Sequence, residues 1–142
     1  MREYEVVYIL DPALTDAEVQ RSIDKMTEII TRHGGAILRL QNMGKKTLAY
    51  KINKQSKGHY IAVDFCADNT TIGEMERVLK LDERVLRYLS IKLGEDVEVE
   101  TRRKEIIEEA ELLAKTLELN AQRERDARQG SQAPQEHVEE RA

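Results

Sequence analysis

The sequence has no tryptophan, one phenylalanine, one cysteine and two prolines in 142 residues. With so few large rings, a core must be built from aliphatic side chains, and tyrosine is the main aromatic available to it. The lone Cys66 excludes an internal disulfide, and no Cys/His spacing fits a tetrahedral zinc site. No apolar run is long enough to cross a bilayer. The opening Met1-Arg2-Glu3-Tyr4 is charged and strand-like, unlike a secretory signal, so a cytoplasmic protein with no membrane partner is the expectation.

Catalytic patterns are missing too. His33, His59 and His137 are scattered, and there is no Gly-x-Ser-x-Gly elbow, phosphate loop or His-Glu-x-x-His helix. Gly34-Gly35 precedes a strand pattern rather than a helix, so it cannot form a helix-terminal anion site. Cys66 falls in a strand pattern, where a lone cysteine acts as a small packed hydrophobe. Without a converging constellation, the expectation is a non-enzyme with no catalytic residues, metal, cofactor or small-molecule substrate.

What the chain does have is charge, unevenly placed. Charged residues make up 35% of it and the net charge is −4. Residues 1–95 carry 15 Lys and Arg against 14 Asp and Glu, while residues 96–142 carry 8 against 13. The acidity therefore belongs to the C-terminal part. Residues 29–63 contain no acid at all, yet hold Arg32, Arg39, Lys45, Lys46, Lys51, Lys54 and Lys57. Such a stretch sets up a positive local field whatever the total charge. A solvated lysine-rich hairpin and a surface for phosphates are both compatible with that composition.

Periodicity divides the first part into six elements. Tyr4, Val6, Tyr8 and Leu10 alternate through residues 3–10, a strand that is apolar on both faces near its end and therefore central. Thr15 and Glu18 have capping-box spacing ahead of Val19, Ile23, Met26 and Ile30, which repeat at helical intervals until Gly34-Gly35. Residues 36–52 read as a long strand bent near Asn42-Met43-Gly44, followed by a polar turn at 53–57 and a third strand at 59–67. Thr71 and Glu74 repeat the capping spacing for a second helix, and residues 84–93 form a fourth strand. In that strand Leu89, Ile91 and Leu93 compete with Leu86 and Tyr88 for the inner face.

The order β-α-β-β-α-β predicts an α+β, ferredoxin-like split βαβ domain over 1–95: a four-stranded antiparallel sheet with both helices on one face. A charged helical extension is expected over 96–126, with a narrow stripe of Ile106, Ala110, Leu113 and Leu117. A disordered polar tail is expected over 127–142. The face without helices would present Val7, Ile9, Tyr60 and Ala62, a candidate contact strip. RNA recognition motifs share this order of elements. The run Lys57-Gly58-His59-Tyr60-Ile61 imitates their third strand but places Ile61 where a stacking ring belongs, so phosphate and shape contacts fit better than base stacking. The same fold also serves small-molecule regulatory modules and acyl-phosphate hydrolases. The first would need a pocket with convergent polar groups, the second an anion-cradling loop.

Particular residues then carry a resemblance. Met1-Arg2-x-Tyr4-Glu5 with Pro12, and above all Gly44-Lys45-Lys46-Thr47-Leu48-Ala49-Tyr50-Lys51-Ile52, resemble the bacterial ribosomal protein S six family. Gly58 with Tyr60, Glu74, and Val85-Leu86-Arg87 follow in matching order over residues 1–93. Met43 stands where the family commonly has tryptophan. The resemblance implies a structural role in the small ribosomal subunit, with binding to the central domain of small-subunit ribosomal RNA beside ribosomal protein S eighteen. It points to Arg2, Lys45, Lys46 and Arg87 for RNA. Charge adds Lys54 and Lys57, and Lys92 more weakly. For Arg2 and Arg87 a solvated strand-end charge is the other reading. Val7, Ile9, Tyr50 and Tyr60 are the expected partner contacts, although the alternation of Tyr50 with Leu48 and Ile52 favours a core position. The second strand is expected at a sheet edge, where pairing or covering by a partner is invited.

Overall fold

A computed structural model describes the backbone of residues 1–141 and the side chains of residues 1–130. The strands are β1 (Arg2–Leu10), β2 (Ala36–Ile52), β3 (Gln55–Ala67) and β4 (Val85–Gly94); the helices are α1 (Asp16–Arg32), α2 (Asn69–Leu81) and α3 (Val99–Arg141). The sheet order is β2-β3-β1-β4 and every pairing is antiparallel, as the split βαβ reading requires. β1 is central and β2 is an edge.

Alternation along β1 divides the sheet into two faces. Tyr4, Val6, Tyr8 and Leu10 are buried and meet Ile61, Val63 and Phe65 of β3 in one core. Val19, Ile23, Met26, Ile29 and Ile30 of α1, with Met75 and Leu79 of α2, close that core from above. Tyr4 and Phe65 pack there as a tilted ring pair, centroids 5.9 Å apart. The fourth-strand register is settled by pairing. Tyr88 lies opposite Tyr8 and packs on the core, so Leu89, Ile91 and Leu93 face the side without helices.

Local chemistry fixes the ends of the helices. Thr15 and Glu18 form the expected reciprocal capping box. Gly34, at φ +79°, ends α1 in the left-handed region. At α2 the expectation is corrected. Asp68 is the cap, accepting from the Thr71 amide, and Thr71 is buried inside the first turn. Its hydroxyl donates to the same carboxylate, and this is what removes it from the surface.

The β2–β3 hairpin also departs from expectation. The turn is only Asn53-Lys54, both at positive φ (48° and 66°), as a type I′ turn requires. β3 therefore starts at Gln55, and Lys57 belongs to a strand. β1 stops opposite His59, so the hairpin continues past it as a two-stranded ribbon. Within that ribbon Thr47 pairs with Lys57 and Ile52 with Gln55. β2 thus spends four residues where β3 spends one, and the surplus bulges out.

The chain divides into two compact units, residues 1–102 and residues from Arg103 on. The second is helical, with Leu112, Leu113, Leu117 and Leu119 exposed. The helix α3 is continuous across residues 126 and 127. The side chains of 131–142 lie outside the described residues.

Gly58 sits under the Ile9 side chain: a Cβ there would run into Cγ2 of Ile9 and stand 3.3 Å from Cδ2 of Leu48. Urea unfolding of Gly58→Ala should show a loss of about 1–3 kcal/mol, the usual result of overpacking. Gly73, inside α2 where an added Cβ would meet no neighbour within 4 Å, should behave oppositely, Gly73→Ala adding about 0.5–1 kcal/mol. Equal effects at the two sites would contradict this packing.

Candidate nucleic-acid and partner interface

The face without helices is built in two halves. In one half Glu3, Asp64 and Cys66 are buried, and Arg102 from the first turn of α3 reaches Glu3, Nε to Oε1 2.7 Å. In the other half an open groove of about 350 Å³ runs between β1, β4 and the bulged part of β2. Val7, Ile9, Leu48, Ala49, Ile52, Tyr60 and Leu89 line it, together with Tyr50 and Arg87; none of the lining residues is acidic.

The bulge is what makes this groove. It buries Leu48 against Gly58 but throws Tyr50 outward, leaving it 61% exposed. The expectation of a core position for Tyr50 is thereby corrected, since regular alternation does not survive three surplus residues. Tyr50 instead meets Arg87 across the groove. The guanidinium carbon lies 5.9 Å from the ring centroid, and Nη1 donates to the phenol oxygen. Beside it, the Lys46 ammonium stands 5.8 Å from the centroid of Tyr60.

All four expected partner contacts, Val7, Ile9, Tyr50 and Tyr60, therefore converge on one groove, and Arg87 joins them rather than lying with the other expected RNA cations. Those other cations are not gathered on one surface. Lys45 pairs with His59 and Lys46 with Gly58, so successive side chains leave opposite faces of β2. Lys57 shares the His59 side, and Lys54 occupies the turn. Arg2 and Lys92 lie at the far end of the sheet; Arg2 donates to the side-chain oxygen of Asn69 and Lys92 contacts Glu95 at 2.6 Å. Past the end of β1, however, both faces of the ribbon that carries Lys46, Lys54 and Lys57 are open to solvent, Lys45 stands at its root, and all four lysines are exposed.

Leu48, Ala49, Ile52 and Leu89 were not anticipated as groove residues, and no sequence signal marks the bulge that recruits the first three. No group of metal-ligating side chains occurs among the described residues. A basic ribbon beside an apolar groove is the surface of a small α+β protein of the split βαβ class.

The comparisons place that fold in a family. Residues 3–92 match the family model described as Ribosomal protein S6. The chain is 36% identical over 111 residues to the small ribosomal subunit protein bS6 of Desulfosudis oleivorans, covering 78% of this chain and 66% of that protein. It is 38% identical over 92 residues to bS6 of Desulfitobacterium hafniense, 65% of this chain and 97% of that one. Against bS6 of Campylobacter lari the identity is 40% over 99 residues, 70% of this chain and 80% of that one. The match to the Desulfosudis protein spans slightly less than two thirds of its length, and that to the Desulfatibacillum aliphaticivorans protein 57%. The crystal structure of 30S ribosomal protein S6 from Thermotoga maritima shares the fold, with a TM-score of 0.62 at 23% identity, covering 76% of this chain and 97% of that one. The chain belongs to the ribosomal protein S6 family, whose members are small-subunit ribosomal proteins and not enzymes.

A double-mutant cycle on Tyr50→Ala and Arg87→Ala tests the wall of the groove. Urea unfolding should return a coupling of about 0.5–1 kcal/mol, the usual strength of an exposed cation–π pair. A coupling of zero would mean that the two side chains stand apart in solution.

Proposed function

We propose that this chain is a non-catalytic structural protein of the small ribosomal subunit, placed on the cytoplasmic ribosome, which binds the central domain of small-subunit ribosomal RNA together with ribosomal protein S eighteen. The observation that carries this reading is the adjacency of two surfaces: an acid-free ribbon bearing Lys45, Lys46, Lys54 and Lys57, and an apolar groove bearing Val7, Ile9, Tyr50 and Tyr60.

The division of labour follows from chemistry. Phosphates need cations that are not already neutralised, and the ribbon supplies them without a carboxylate between residues 29 and 63. Opposite-facing lysines suit a ribbon inserted beside an RNA backbone better than a flat patch laid on one. The groove offers apolar area and ring faces, which favour a protein segment with an aliphatic or aromatic anchor. Arg87 serves the groove in this reading. Arg2 and Lys92 take secondary places in RNA contact, because Asn69 and Glu95 already hold them.

The two surfaces separate experimentally. The pair Lys45→Gln and Lys46→Gln should weaken binding to a central-domain RNA fragment and lower the salt slope by roughly one for each phosphate no longer neutralised. Val7→Asp should reduce the affinity gained when S eighteen is added and leave the salt slope alone. An unchanged slope in the first variant would remove those lysines from the RNA surface. An unchanged gain in the second would remove the groove from the partner surface.

A further inference from the structure

Glu3 and Asp64 are two carboxyl groups buried side by side on the face without helices. Glu5 is the direct partner of Asp64 and Cys66 of Glu3, so Glu3 and Asp64 are diagonal neighbours on adjacent strands. They are only 3% and 5% exposed. Arg102 occupies Glu3 Oε1, but Glu3 Oε2 and Asp64 Oδ1 have no donor among the described residues. Two orphaned, buried carboxylate oxygens are costly, and two ionised carboxylates at such range repel as well. One retained proton relieves both penalties, turning one oxygen into a donor for the other group.

Above this pair lies the segment from Val97 to Arg102. It is tied down by the Val97 amide donating to the Met1 carbonyl at 2.7 Å and by the Arg102–Glu3 ion pair. We propose that Glu3 and Asp64 share a single proton beneath this segment, and that its loss to solvent as pH rises loosens the segment from the sheet.

The charged and titratable surroundings come from every packed element. Arg39 on β2 lies opposite Asp64, Glu5 on β1 is its direct partner, Cys66 on β3 is a buried thiol, and Arg102 of α3 and the N-terminal amine complete the surroundings. Arg102 and Arg39 favour the anion. Burial and the adjoining Glu3 outweigh them and push Asp64 up to about 7. The closed state holds a proton that a solvated Asp64 releases near 3.8, so closure has its full advantage below that value, loses it progressively between about 3.8 and about 7, and loses nothing further above. Within that window each pH unit shifts the closed–open ratio by up to about tenfold.

Hydrogen exchange on the full chain reads this directly. The opening constants of the Val97 and Arg102 amides, corrected for intrinsic exchange, should rise at least about fivefold from pH 6 to pH 8.5. In Asp64→Asn they should be low and equal at both. A wild-type opening constant that does not change with pH, or an equal rise in the variant, overturns the proposal. Carboxyl-carbon NMR of the wild-type chain provides a readout without substitution: one of the two groups should titrate near neutrality. Ionisation of both below pH 5 overturns it as well.

Discussion

A four-stranded sheet has two faces, and α1 and α2 cover one of them. Alternation forces every second residue of the central strand β1 onto the other, which neither of them covers. The chain meets that constraint in two ways along one strand. At Glu3 it buries the face under a returning segment and accepts a carboxyl pair that burial strains. At Val7 and Ile9 it leaves the face apolar and open, walled by a bulge of β2. The covered half gives the domain its closed end, and the open half gives it an exposed apolar groove.

The bulge links packing to recognition. Gly58 is small because Ile9 lies over it, and Leu48 can tuck in beside them only because β2 has chain to spare. The same surplus carries Tyr50 out to Arg87. One local irregularity thus seals the inner edge of the groove and builds its outer wall, so the shape of the recognition surface and the stability of the hairpin are not independent.

Much of the fold was legible because alternation and helical spacing are local signals. The element order, the central position of β1, the Thr15 capping box and the edge position of β2 all follow from neighbours within a few residues. Three of the four expected groove contacts could be named for the same reason, since Val7, Ile9 and Tyr60 alternate onto one face of the sheet. What could not be read depends on distant partners. The cap of α2 moved to Asp68 because the Thr71 hydroxyl is drawn inward. Tyr50 changed sides because β3 is shorter than the β2 segment it faces. Arg87 turned to Tyr50, and Arg102 to Glu3, across separations that no periodicity reports. The opposite orientations of Lys45 and Lys46, by contrast, follow from strand alternation alone; charge counting hid them.

The ribbon has a second consequence. β2 is an outer strand with an unpaired row of backbone donors and acceptors, the kind of edge onto which another copy could zip in a growing fibril. Its exposed lysines come without compensating acids, so two such edges brought together would set like charges against each other before any ladder could form. The ammonium groups suited to a phosphate backbone therefore also keep the free polypeptide from polymerising through its own sheet, and this protection vanishes only when a polyanion has neutralised them.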